Sequence, residues 1–304
     1  MKRILFFFVD GVGIGERGDE NPLSTIDAPT LHRLAGHQQW CAPFSPQTAP
    51  ELVVRSLDAT LGVEGLPQSG TGQATLFTGT NCAEVVGRHF GPFPHSKTHP
   101  VLDRANLFCQ LQSLPDGERP GTFANAFPPQ YFDAARRRAT VTTYCCKAAS
   151  IALRDLAALR DERAVAADLT SASWKERLNL DVPTRSLAEA AAVLAALTRD
   201  HALTLFEYFL TDKAGHRRID TPPASLLAEL DCVLGALVDR LDPAHDALVV
   251  TSDHGNLENM SHTQHTRNPV PLVVYGWAAP FFTDARSLTD VTPCLVEALR
   301  STPP

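Results

Sequence analysis

No apolar stretch in this 304-residue chain approaches the roughly 18 residues that would span a bilayer, so no membrane partner is expected. A basic block is missing too. Lys and Arg are scattered, 27 against 34 Asp and Glu, for a formal net charge of −7. Without a clustered positive face there is little to track a nucleic-acid backbone, and RNA and DNA are set aside as partners. The seven cysteines are odd in number and have neither zinc-ribbon nor C-x-x-C spacing; reduced core or surface thiols are expected. Internal repeats and low-complexity tracts are lacking. The start of the chain, Met1 to Asp10, has only a short apolar run, meets a charge at Asp10, and lacks a small-residue cleavage site. It reads as a buried strand rather than a leader, and a cytoplasmic protein is expected.

What the chain does have is 44% apolar residues, ample for a core, arranged in alternating patterns. Residues 4–9 are β-branched and aromatic and run into Gly-rich sequence, the pattern of a buried parallel strand and a tight loop. Further strands are predicted at 203–210, 247–252 and 271–275. Helices are predicted at 186–200, with Ser186 as N-cap, and at 224–241, where leucines share one face. This alternation predicts an α/β fold: a mainly parallel sheet with helices on both faces. Residues 88–185 differ in composition, being rich in Arg, Ala and Pro. They are read as a small inserted cap domain, with 1–87 and 186–304 forming the core. Within the insertion, 148–168 reads as helical and Arg136-Arg137-Arg138 as a solvated helix face.

In open α/β sheets ligands bind beyond the carboxyl ends of the strands, and three carboxylates fall there: Asp10, Asp212 and Asp253. Histidines accompany them. His216 follows Asp212 by four residues, His254 is adjacent to Asp253, and His265 lies in His265-Thr266-Arg267-Asn268-Pro269-Val270-Pro271. Three carboxylates with three imidazoles suit zinc or manganese better than calcium, with magnesium as an alternative. So many ligands call for two divalent ions, able to clamp the attacking and leaving oxygens of a displacement. A nucleophile candidate, Ser69, begins Ser69-Gly70-Thr71-Gly72-Gln73, where a loop should give way to a helix whose N–H groups can face an anion. Taken singly, each residue has a plainer reading: Ser69 as an N-cap, Asp212 and His216 as a surface pair on a helix. Their convergence on one sheet edge is what favours a site. Arg88, Lys97 and His262 are weaker candidates for binding substrate phosphate, with a solvated loop as the competing reading.

These motifs resemble the alkaline phosphatase superfamily, and within it the cofactor-independent phosphoglycerate mutases and phosphopentomutases. The resemblance covers residues 4–81 and about 203–276, and rests chiefly on Ser252-Asp253-His254-Gly255-Asn256 and the downstream His-Thr-x-Asn-Pro-Val-Pro. It implies an alkaline-phosphatase-like three-layer core. It also implies one metal on Asp10, Ser69, Asp253 and His254, a second on Asp212, His216 and His265, and a phosphoseryl intermediate at Ser69. Two features depart from the mutases: Gln73 stands where they usually have histidine, and the insertion is far shorter than their substrate-binding domain. The activity expected is a phosphomonoesterase acting on a small phosphorylated metabolite. The alternatives are a phosphomutase, a phosphodiesterase or phosphonate hydrolase, and a non-catalytic metal-binding homologue.

Overall fold

The computed structural model describes residues 1–114, 121–133 and 138–301. Among these residues the strands are β1 (Arg3–Val9), β2 (Gln47–Ala49), β3 (Leu52–Leu57), β4 (Thr122–Phe123), β5 (Leu203–Tyr208), β6 (Asp246–Thr251) and β7 (Val270–Gly276). They form one sheet in the order β2-β3-β7-β6-β1-β5-β4. The block β6-β1-β5-β4 is parallel throughout, whereas β7, β3 and β2 are joined to it and to one another by antiparallel pairings.

The centre of the sheet explains the apolar start of the chain. Ile4, Phe6 and Phe8 of β1 enter one hydrophobic cluster, and Leu5, Phe7 and Val9 enter a second on the opposite face. A strand covered on both faces has no reason to alternate apolar with polar residues. The first face is covered by α1 (Ser69–Thr78), α2 (Val141–Ala148) and α6 (Leu288–Arg300). Phe77 of α1 meets Phe6 and Phe8 edge-on, with ring centroids 6.1 and 5.5 Å apart. The second face is covered by α3 (Leu187–Asp200) and α5 (Pro223–Val238). The short α4 (Leu210–Gly215) follows β5 directly. Ser186 does cap α3, in a reciprocal capping box with Glu189, which satisfies two otherwise orphaned N–H groups.

The sequence reading needs three corrections. The stretch 148–168 is not one helix: α2 ends at Ala148 and only Leu156–Arg160 is helical beyond it. Tertiary pairing overrides the Ala/Leu composition there, because Arg154 and Val165 bridge to Ala126 and Asn125. Residues 88–185 are not packed apart from the core either. β4 is the edge strand of the central sheet, and Leu102, Phe108, Val141 and Cys145 belong to the first-face cluster. What does pack separately is a small cluster around Ala158, Leu159, Ala164 and Trp174. Finally, Arg138 is exposed in non-helical backbone, while Arg136 and Arg137 lie outside the described residues. No helix among the described residues is long and apolar enough to cross a membrane.

Candidate metal centre

Three neighbouring parallel strands deliver the three carboxylates. Asp10 is the first residue after β1, Asp253 the second after β6, and Asp212 lies in α4, just after β5. Because β6, β1 and β5 are adjacent and parallel, all three fall on one edge. Close approach of the loops demands glycine: Gly11 has φ +72°, and a Cβ there would sit 2.8 Å from Cβ and Oδ1 of Asp212. The hydroxyl of Thr211 donates to the carbonyl of Asp10 at 2.6 Å, tying the two loops together.

The histidines show a common orientation. Nδ1 of His265 lies 2.7 Å from the carbonyl of Pro67, Nδ1 of His216 lies 2.7 Å from that of Thr263, and Nδ1 of His254 lies 3.3 Å from that of Gly255. A carbonyl only accepts, so each Nδ1 carries the proton and donates. With Nε2 unprotonated, each ring presents a lone pair there, the arrangement in which imidazole binds a metal. The Nε2 atoms converge. That of His216 is 3.0 Å from that of His265, and both lie within 3.5 Å of Asp212 Oδ1. Nε2 of His254 is 3.4 Å from Asp10 Oδ1 and from Asp253 Oδ2, and the rings of His254 and His265 stack at 3.7 Å.

The electrostatics of this cluster call for positive charge. Asp253 is fully buried, and neither of its carboxylate oxygens has a hydrogen-bond partner; Asp10 Oδ1 is likewise orphaned. Buried polar atoms are almost always paired, and an unpaired buried carboxylate is costly. Burial, then the charges of Asp253 and Asp212, raise Asp10 well above the usual carboxylate range. Burial and the charge of Asp212 raise Asp253 in the same way. At Asp212 burial is outweighed by hydrogen bonds from His265 and from the amide of Asn256, which hold it low. His254 is pushed down to about 3, first by burial and then by His265, and so stays neutral. Two triads place ligand atoms within 4.8 Å of one another: Asp212, His216 and His265, and Asp10, Asp212 and His254.

Ser69 is the first residue of α1, and its Oγ is 3.0 Å from His254 Nε2. The N–H of Thr71 is taken by the carbonyl of Phe90 at 2.8 Å. Ser69 and Gly70, in the first turn, have no intrahelical acceptor for their N–H groups, which suits an anion there. Gly70 is required because a Cβ would lie 2.2 Å from the carbonyl oxygen of Phe93. Gln73, one turn on, donates to Asp10 Oδ2 at 3.3 Å.

All seven candidate ligands are thus brought to one place, but the weaker candidates are not. Arg88 is exposed over the Phe90 ring, Lys97 donates to the carbonyl of Val86, and His262 is exposed with Nδ1 accepting from the Gln264 N–H. Two supporting residues escaped the sequence reading. Asn256 donates to Asp212 Oδ1 at 2.8 Å. Glu258, which is 2% exposed, accepts from the N–H groups of Gly13 and Asn256, the hydroxyl of Thr266 and the amide of Asn268. The signal for Glu258 was a carboxylate set between two ligand motifs in a segment with no strand or helix of its own.

An α/β sheet whose parallel central block gathers carboxylates, imidazoles and a helix-starting serine at its carboxyl edge defines an alkaline-phosphatase-like, metal-dependent enzyme. The chain belongs to the Metalloenzyme superfamily, whose family model matches residues 2–303. It is 32% identical over 114 residues to a 2,3-bisphosphoglycerate-independent phosphoglycerate mutase of Cereibacter sphaeroides, a match covering 35% of this chain and 22% of that protein. A mutase of the same name from Ehrlichia ruminantium is 32% identical over 106 residues, 33% of this chain and 21% of that one. The matched part therefore spans about a fifth of the length of these relatives. Among solved structures, the alkaline phosphatase of the Antarctic bacterium TAB5 aligns with a TM-score of 0.53 at 12% identity, over 99% of each chain. Leishmania mexicana phosphoglycerate mutase aligns with a TM-score of 0.55 at 11% identity, over 100% of this chain and 96% of that one. These structures share the fold.

Proposed function

We propose that this protein is a phosphomonoesterase that transfers a phosphoryl group to Ser69 and then to water. The observation that carries this reading is the common orientation of His216, His254 and His265. Each holds its Nδ1 proton on a backbone carbonyl and aims Nε2 at buried carboxylates, beside an Asp253 with no partner of its own. The donor set fits two divalent ions, manganese or zinc, with magnesium also accommodated. Asp212, His216 and His265 would hold one, and Asp10, Ser69, Asp253 and His254 the other. Bound there, they supply the positive charge that neutralises a phosphate dianion and lowers the proton affinity of the serine hydroxyl.

In this reading Ser69 gives up its hydroxyl proton to solvent, and its Oγ forms a bond to phosphorus as the bond from phosphorus to the alcohol oxygen breaks. The alcohol leaves with a proton from solvent. The N–H groups of Ser69 and Gly70 hold the phosphoryl oxygens. Water then attacks the phosphoserine, its hydroxyl joins phosphorus, and Ser69 recovers its proton. Of the segment expected as a cap, Asp168, Ser173, Trp174 and Arg177 line a cavity that Lys213, next to Asp212, also lines. The test is phosphate release from a panel of phosphate monoesters with manganese or zinc, wild type against Ser69→Ala. Release from some of them by the wild type, with a loss of at least about a thousandfold in the variant, is expected. Turnover that survives in Ser69→Ala refutes the serine nucleophile.

A further inference from the structure

The metal cluster occupies the carboxyl edge of β6, β1 and β5, and the next strand along that edge is β4. A cavity of about 450 Å³ lies there, within the size range of small-molecule sites. Its walls come from three directions. Phe123, Asn125 and Phe127 follow the line of β4. Glu207, Phe209, Leu210 and Lys213 come from the end of β5 and from α4. Trp174 and Arg177 come from the segment that packs separately from the core. The segment that carries Asp212 therefore forms one wall of the cavity.

The character of the lining is specific. Aromatic and aliphatic side chains dominate: Phe127, Trp174, Phe209, Leu210 and Ile219. A polyol or a phosphoglycerate needs a hydrogen-bond partner for each hydroxyl, and an apolar wall strips those hydroxyls of water without compensation. Polar groups enter from two walls: Glu207 and Lys213 beside the segment of Asp212, and Asp168, Ser173 and Arg177 opposite. The ammonium of Lys213, next to Asp212, lies 4.3 Å from the centre of the Phe209 ring. It makes no hydrogen bond or ion pair among the described residues. A partly buried cation in the cavity wall, one residue on from Asp212, suits an ester whose phosphate sits at the metals and whose alcohol part fills the mainly apolar chamber.

Building on the phosphomonoesterase reading, we infer that the substrate is a phosphate monoester with an apolar alcohol part of about aromatic-ring size, seated between Phe127, Trp174 and Phe209 with its phosphate beside Lys213.

Phosphonates test this without turnover, because the bond from carbon to phosphorus is not cleaved by the proposed chemistry. Binding of phenylphosphonate, methylphosphonate and 2,3-dihydroxypropylphosphonate to the manganese-loaded protein is measured by calorimetry. Phenylphosphonate is expected to bind roughly tenfold or more tighter than either of the others, from the apolar area its ring removes from water. Ala167 also lines the cavity; Ala167→Phe, which fills the chamber, should erase that advantage, and Lys213→Met should weaken phenylphosphonate several-fold. Equal affinities for the three compounds in the wild type overturn the assignment, whether or not the variants fold. So does a phenyl advantage that persists in a folded Ala167→Phe. Failure of the phosphatase reading would show separately, as absence of Ser69-dependent phosphate release, and leaves the binding comparison interpretable.

Discussion

Asp253→Asn should act in opposite directions with and without metal. Asp253 is fully buried with both carboxylate oxygens unpartnered, close to Asp10 and Asp212. An uncompensated buried charge costs roughly 3–5 kcal/mol. In chelator at about pH 8 the neutral, nearly isosteric amide removes that charge, and at about 1.5 °C per kcal/mol for a chain of this size the variant should melt several degrees above the wild type. Burial and the charge of Asp212 raise the folded-state pKa of Asp253, which fixes the pH dependence. The penalty is absent where Asp253 is protonated in both folded and unfolded chains, and grows as pH rises through the carboxylate range and beyond it. The gap between variant and wild type should therefore close on acidification. With manganese at about 100 times its Kd the wild type should gain about 2.7 kcal/mol, whereas the variant, having lost a ligand, should gain little. The assay is thermal melting with chelator or manganese at several pH values, together with elemental analysis. A variant that melts well below the chelated wild type, or that keeps the full response to manganese, would show that Asp253 is structural and refute the electrostatic argument.

Glu258→Gln keeps the shape but turns part of a four-way acceptor into a donor facing donors. A loss of about 1–3 kcal/mol should appear in urea unfolding, along with weaker metal binding as Asn256 loosens its hold on Asp212. Gly11→Ala should cost at least about 1 kcal/mol, since it combines a positive φ with the contact on Asp212; metal affinity should fall with stability. Phe6→Ala empties the packing beneath Phe77 and should cost roughly 3–5 kcal/mol in the same unfolding assay, with the apparent metal affinity of the folded protein little changed.

The parts of the fold that could be read directly are those buried on both faces or amphipathic on one. β1, β5 and β6 appear in the sequence as apolar runs because helices cover both sides of them. α3 appears through Ser186 and Glu189, whose capping box is a local property. β3 was not legible. Leu52–Leu57 carries Arg55 in its middle, and the strand exists because the guanidinium is satisfied by the carbonyls of Gln47 and Thr283. β4 was not legible either, being two residues long and held by its pairing to β5. The stretch after α2 failed for the related reason that bridges from distant residues, which no local propensity encodes, took its backbone.

The candidate site was more legible than the fold around it, and the second ligand motif shows why. In His265-Thr266-Arg267-Asn268-Pro269-Val270-Pro271 almost every position has a task fixed by geometry. His265 points Nε2 at Asp212. Thr266 and Asn268 hold Glu258, which in turn holds the N–H groups of Gly13 and Asn256. The carbonyl of Pro269 accepts from the Ile14 N–H, and that of Pro271 from the Thr251 hydroxyl. Side chains that converge on a charged centre tolerate few alternatives in type or spacing, so the centre writes itself into short motifs. Glu258 was missed because it serves the ligands through other residues, and Lys213 because a cation between Asp212 and His216 looks like ordinary surface charge until the cavity beside it is seen. Arg88, Lys97 and His262 show the converse: charge near a motif in sequence carries no geometry, and in the fold their polar atoms are turned to solvent or to local backbone.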